Sequence, residues 1–126
     1  MECSCLTFRI LPGKTGVARQ FLLDLNGESR SPFSRACLRL GLSRALWFFG
    51  QGAGDDQLIL YVESADVSAG FDTLVRSRDP FDQWLKSQLA GATGVDLSDP
   101  PEGIRPSELL AAFPVLSGEE EMVGQC

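Results

Sequence analysis

The sequence predicts an α+β domain with helices stacked on one face of an antiparallel sheet. Three observations carry that expectation. Period-two alternation at the N-terminus marks a strand. Two short apolar runs separated by a Gly/Asp-rich loop mark a hairpin. Stretches with apolar residues at helical spacing follow both the first strand and the hairpin. The 126 residues are room for one domain. A composition of 44% hydrophobic and 22% charged residues is ordinary for a globular protein, and no apolar run reaches the length of a membrane span.

Taken in order, residues 3–11 alternate. Ser4, Leu6, Phe8 and Ile10 point one way, and Cys3, Cys5, Thr7, Arg9 and Leu11 the other. Pro12-Gly13-Lys14 ends that strand. Val17, Ala18, Phe21, Leu22 and Leu25 fall on one helical arc. Ser31 with Pro32 starts a second helical piece, with Phe33, Ala36, Cys37 and Leu40 as its apolar face and Gly41 as its stop. Residues 45–49 (Ala-Leu-Trp-Phe-Phe) suit a strand buried on both sides, and Leu58 to Glu63 form its hairpin partner across residues 50–56. Asp66 caps a helix whose face is Val67, Phe71, Leu74 and Val75. Asp79-Pro80 interrupts it and caps the next helix, lined by Phe81, Trp84, Leu85 and Gln88. Gly94-Val95-Asp96-Leu97 is a candidate last strand, and residues 107–113 a candidate short helix.

Strand, helix, strand, strand, helix, strand is the split β-α-β, ferredoxin-like order with a four-stranded antiparallel sheet. Helices would cover one face. Trp47 and Phe49 oppose Leu46 and Phe48, and Leu58, Leu60 and Val62 oppose Ile59 and Tyr61, so both sheet faces need cover. A second copy of the chain, packing sheet to sheet, provides it most simply. Residues 1–116 form the domain on this reading, and residues 117–126 an acidic flexible tail.

Composition narrows the chemistry. The chain contains no histidine, which excludes Ser-His-Asp and Cys-His nucleophilic sites, histidine-ligated haem and the usual zinc sites. No metal and no cofactor is expected. Net charge is −6, divided as +2 over residues 1–62 and −8 over residues 63–126. An acidic total argues against nucleic-acid binding. The basic set Arg30, Arg35, Arg39 and Arg44 reads most simply as a solvated face, and more sharply as a patch for an anionic ligand or an acidic partner. Cys3, Cys5, Cys37 and Cys126 contain no Cys-x-x-Cys spacing. The N-terminus shows no export signal, so a cytoplasmic location with reduced thiols is expected.

The opening strand ending in Pro12-Gly13-Lys14, the hairpin, and the helical region broken at Asp79-Pro80 together resemble the dimeric α+β barrel superfamily. Within it, residues 77–82 (Ser-Arg-Asp-Pro-Phe-Asp) and 94–97 (Gly-Val-Asp-Leu) resemble a family of short proteins classed as a domain of unknown function. The resemblance covers residues 5–113. It implies a homodimer and offers no activity to carry over. The superfamily includes cofactor-free monooxygenases of aromatic substrates, haem-degrading enzymes and isomerases. The lack of histidine departs from its haem-dependent branches.

Several motifs reduce to simpler readings. Gly13-Lys14-Thr15 has Phe8 where a P-loop needs glycine, so it is a turn. Gly50-x-Gly52-x-Gly54 precedes a strand rather than a helix, so it is a hairpin loop. Two sets carry functional candidates. Arg9, Tyr61 and Glu63 could meet inside the barrel as a catalytic set. There Arg9 would hold an anion and Tyr61 or Glu63 would move a proton. A structural ion pair beside a satisfied tyrosine is the simpler alternative. Trp47, Phe49, Arg78 and Trp84 could wall a ligand pocket, against the alternative that the aromatics anchor the core. The resulting expectation is a homodimer that binds a small molecule between sheet and helices. The alternatives are a cofactor-independent monooxygenase or isomerase, and a protein-interaction module.

Overall fold

The computed structural model describes residues 1–113. The expected tail, residues 117–126, lies outside the described residues, as do positions 114–116. Three strands are present among the described residues: β1 (Glu2–Arg9), β2 (Leu42–Gln51) and β3 (Asp56–Ser64). Four helices accompany them: α1 (Thr15–Leu25), α2 (Arg30–Arg39), α3 (Val67–Arg76) and α4 (Pro80–Thr93). The sheet order is β1-β3-β2, antiparallel throughout. β1 and β2 therefore run the same way, joined by α1 and α2, with β3 inserted between them.

The alternation read from β1 is realised. Leu6 and Phe8 are buried, while Thr7 and Arg9 are exposed. Leu6 pairs with Leu60 and Phe8 with Leu58, and Trp47 and Phe49 flank the same two residues from β2. Onto this face pack Phe21 and Leu25 of α1 and Leu85, Leu89 and Ala92 of α4. Each large side chain buried there contributes about 1.5–3 kcal/mol.

Helix ends follow the capping chemistry. The Asp66 carboxylate accepts from the Ala69 N–H at 3.0 Å, and that of Asp79 from the Phe81 N–H at 3.0 Å, with Pro80 in the first turn of α4. Gly41 and Gly94 take positive φ just beyond α2 and α4, a conformation that disfavours any side chain. The second helix begins earlier than Ser31-Pro32 predicts. The Phe33 N–H already donates to the Ser29 carbonyl, so Ser29 takes the cap position.

Two predicted elements are absent from the described residues. Residues 94–97 form no strand. Gly94 ends α4, and the Asp96 side chain accepts from the Ser98 N–H at 2.9 Å, closing a turn that buries Leu97. Residues 107–113 form no helix. Instead Ser107 meets the free edge of β1. Its N–H donates to the Cys5 carbonyl at 3.0 Å, and its Oγ accepts from the Cys5 N–H at 3.0 Å. Among the described residues the sheet is thus three-stranded, not four-stranded.

On the second face of the sheet Leu46 and Phe48 are 41% and 51% exposed in the single chain. Cys5 and Cys37 are free thiols, whereas Cys3 is disulfide-bonded, so the expectation of reduced thiols fails at that position. Among the described residues no helix is long and apolar enough to cross a membrane.

Candidate functional site

The aromatic residues converge on the helix-covered face. Phe21 of α1 lies between the two tryptophans, its ring centroid 5.6 Å from Trp47 and 5.9 Å from Trp84. Phe8 stacks on Trp47 at 6.4 Å, and Phe81 extends the row from Trp84 at 5.5 Å to Phe33 at 6.5 Å. Trp47 and Trp84 are therefore one cluster, built because β2, α1 and α4 each place an aromatic toward the same core. Phe49 sits further along β2 beneath the Arg19 guanidinium, 5.2 Å from the ring centroid. Arg78 stands apart. α3 ends at Arg76, so Arg78 lies in the connector to α4 and is exposed, not on the apolar face of a helix.

One end of the aromatic cluster opens into a groove of about 680 Å³ along the outer edge of β2. Leu22 and Leu25 of α1, Phe33 of α2 and Ala45 and Trp47 of β2 supply its apolar walls, with Leu46 and Phe48 also lining it. Asn26, Arg30 and Ser34 supply polar groups. No carboxylate lines it, and among the described residues Arg30 makes no ion pair. The indole Nε1–H of Trp47 is shielded from solvent and meets no acceptor. A buried indole N–H ordinarily finds a partner, and leaving a donor unpaired costs about 1–3 kcal/mol. Trp47 and Phe33 contribute to both the groove and the aromatic cluster. Asn26 and Ser34 were missed as site residues because neither belongs to a motif in sequence, and Arg30 was singled out only as a member of the basic set.

The catalytic trio expected from sequence is not assembled. The Tyr61 hydroxyl donates to Glu63 Oε2 at 2.7 Å on the sheet face away from the helices. That carboxylate, aided by partial burial, pushes the Tyr61 phenol up to about 12, so the phenol stays protonated at neutral pH. Arg44 pairs with Glu63 across the β2–β3 register. Arg9 lies opposite Gln57, four residues from Tyr61 along β3, a separation of about 13 Å at strand rise. Its guanidinium pairs instead with Asp55 at 3.5 Å on the exposed surface.

A second polar centre lies where α2, α3 and α4 meet. Asp82 is 1% exposed. It accepts from Arg39 Nη1 at 2.8 Å and Nη2 at 3.1 Å, and from the Ser77 hydroxyl. Burial alone would raise its pKa, but the bonds from Arg39 and Ser77 outweigh that and hold the carboxyl below its ordinary value. Lys86, 3% exposed, donates to the carbonyls of Leu74, Val75 and Ser77 at 3.0, 3.2 and 3.1 Å, satisfying the C-terminal end of α3. Burial, with the Asp82 charge, pushes the Cys37 thiol up to about 11. The buried Asp82 carboxylate and Lys86 ammonium find their partners within the protein, so the centre is structural. It also removes Arg39 from any docking patch with Arg35, since Arg39 pairs with both Asp82 and Asp79.

Among the described residues no group of three or more His, Cys, Asp or Glu side chains converges to hold a metal ion. Comparison with protein-family models, curated proteins and solved structures finds no match.

Proposed function

We propose that the protein binds a small organic molecule in the groove between β2 and the α1–α2 pair. The observation that carries this is the groove itself, about 680 Å³ with apolar walls and a few polar groups, the size and character of small-molecule sites. The split order of the three strands fits a ferredoxin-like domain of the dimeric α+β barrel type, and the exposed Leu46 and Phe48 give a second copy a surface to cover.

A thermal-shift screen of aromatic fragments tests the binding reading. Ser34 is exposed on α2 and lines the groove, so Ser34→Trp fills the groove without touching the core. Binders raise the melting temperature of the native chain by linkage and leave Ser34→Trp unmoved. A screen with no binder at millimolar concentration, or binders that ignore Ser34→Trp, refutes the reading. Light scattering on Phe48→Lys tests the dimer. The native chain is expected at twice the mass of the variant, and equal masses contradict the pairing.

A further inference from the structure

We propose that the ligand of this groove is an anion with an apolar, preferably aromatic, body, such as an aryl carboxylic acid. The proposal rests on the binding reading above and adds the charge and shape of the occupant. Its basis is the balance of groups in the lining. Arg30 is the one charged residue among those that wall the groove, and no Asp or Glu faces it there. Its guanidinium makes no ion pair among the described residues. The remaining polar groups of the lining, the Asn26 amide and the Ser34 hydroxyl, can each donate a hydrogen bond to an anion. A guanidinium presents two parallel N–H groups that match a carboxylate. The walls, Leu22, Leu25, Phe33 and Trp47, suit a flat hydrocarbon body, which would continue the row of aromatic rings behind them.

The test compares three probes with one body and different heads: 2-naphthoate, 2-naphthalenemethanol and 2-naphthylmethylammonium. Isothermal titration is run on the native chain, Arg30→Gln, Arg30→Lys and Ser34→Trp. Arg30 is exposed and unpaired, so its replacement leaves the melting temperature unchanged. The expected result is naphthoate binding at least tenfold tighter than the alcohol, with the ammonium weakest. Arg30→Gln brings naphthoate to the alcohol's affinity, Arg30→Lys keeps part of the preference, and Ser34→Trp loses all three. Raised salt weakens naphthoate and leaves the alcohol unchanged. If acid and alcohol bind alike, or the ammonium binds best, the anion assignment is overturned while the groove reading stands. If no probe binds, or Ser34→Trp binds them all as well as the native chain, both are overturned.

Discussion

Asp82→Asn offers the sharpest test of what holds the helices together. The substitution keeps the side chain's shape, so no cavity term enters. It removes the charge from a carboxylate that is 1% exposed and places an amide N–H₂ against one of the two Arg39 donors, now 2.8 and 3.1 Å away. Breaking a fully buried pair costs about 3–5 kcal/mol, because a buried charge is left alone. Here the Arg39 side chain is 40% exposed, so water can take up part of its charge, and the cost falls to about 2–3 kcal/mol. For a domain of this size that is a drop of about 8–12 °C in melting temperature. The effect has a pH signature. The folded-state carboxyl titrates below its ordinary value of about 3.9, so its contribution is present in full above that pH. The contribution is lost as pH falls through the folded-state value, where protonated Asp82 resembles asparagine. Urea unfolding of both proteins from pH 7 to pH 3 should show the gap narrowing below about pH 4. A variant within about 0.5 kcal/mol of the native chain at pH 7, or a gap that is constant with pH, would refute the reasoning.

Other consequences are open to simple assays. Tyr61 is the chain's single tyrosine, so tyrosinate absorbance reports it alone. Its transition is expected near pH 12, and Glu63→Gln should bring it down toward 10. Because the folded-state value is raised, the Tyr61–Glu63 contribution is present below about pH 10 and lost as pH rises through 12. Cys37, its thiol pushed up to about 11, should react with a disulfide reagent at pH 8 about a hundredfold more slowly than an ordinary exposed thiol. Equal rates would show that its surroundings are more open than the packing implies. Gly70→Ala puts a Cβ 2.8 Å from the Leu40 carbonyl oxygen and should cost about 1–3 kcal/mol in urea unfolding as α3 is pushed away from the end of α2. An unchanged midpoint would mean that α3 moves freely.

Much of the fold was legible because periodicity and capping agreed. The alternation of β1, the hairpin across residues 50–56, and the Asp66 and Asp79-Pro80 caps all encode local geometry in nearby residues. The fourth strand was not legible correctly. Residues 94–97 contain strand-like Val95 and Leu97, but Gly94 is needed to end α4, and the Asp96 turn uses the remaining residues. The polar centre was missed for a related reason. Phe81, Trp84 and Leu85 drew attention to one side of α4, while the buried side also carries Asp82 and Lys86 in step with Leu85, Leu89 and Ala92. That periodicity is in the sequence, but the charged residues on it declare themselves only when Arg39 and the end of α3 arrive as partners. The tryptophan cluster was partly legible, since large aromatics seek the core. The groove beside it was not, since it depends on how the α1–α2 turn stands off the edge of β2. Arg9 shows the limit of pairing by type. It shares a sheet face with Tyr61 and Glu63, and register alone sets it about 13 Å away.

The central claim, a ligand seated against Trp47, can be tested by proton–nitrogen correlation on ¹⁵N-labelled protein. The chain has two tryptophans and therefore two indole N–H resonances, assigned by Trp47→Phe. On addition of 2-naphthoate the Trp47 signal should shift progressively and saturate, from the new aromatic neighbour and from any acceptor reaching its N–H, with the Trp84 signal moving far less. A Trp47 resonance that stays fixed while naphthoate is added to saturating concentration would contradict the account.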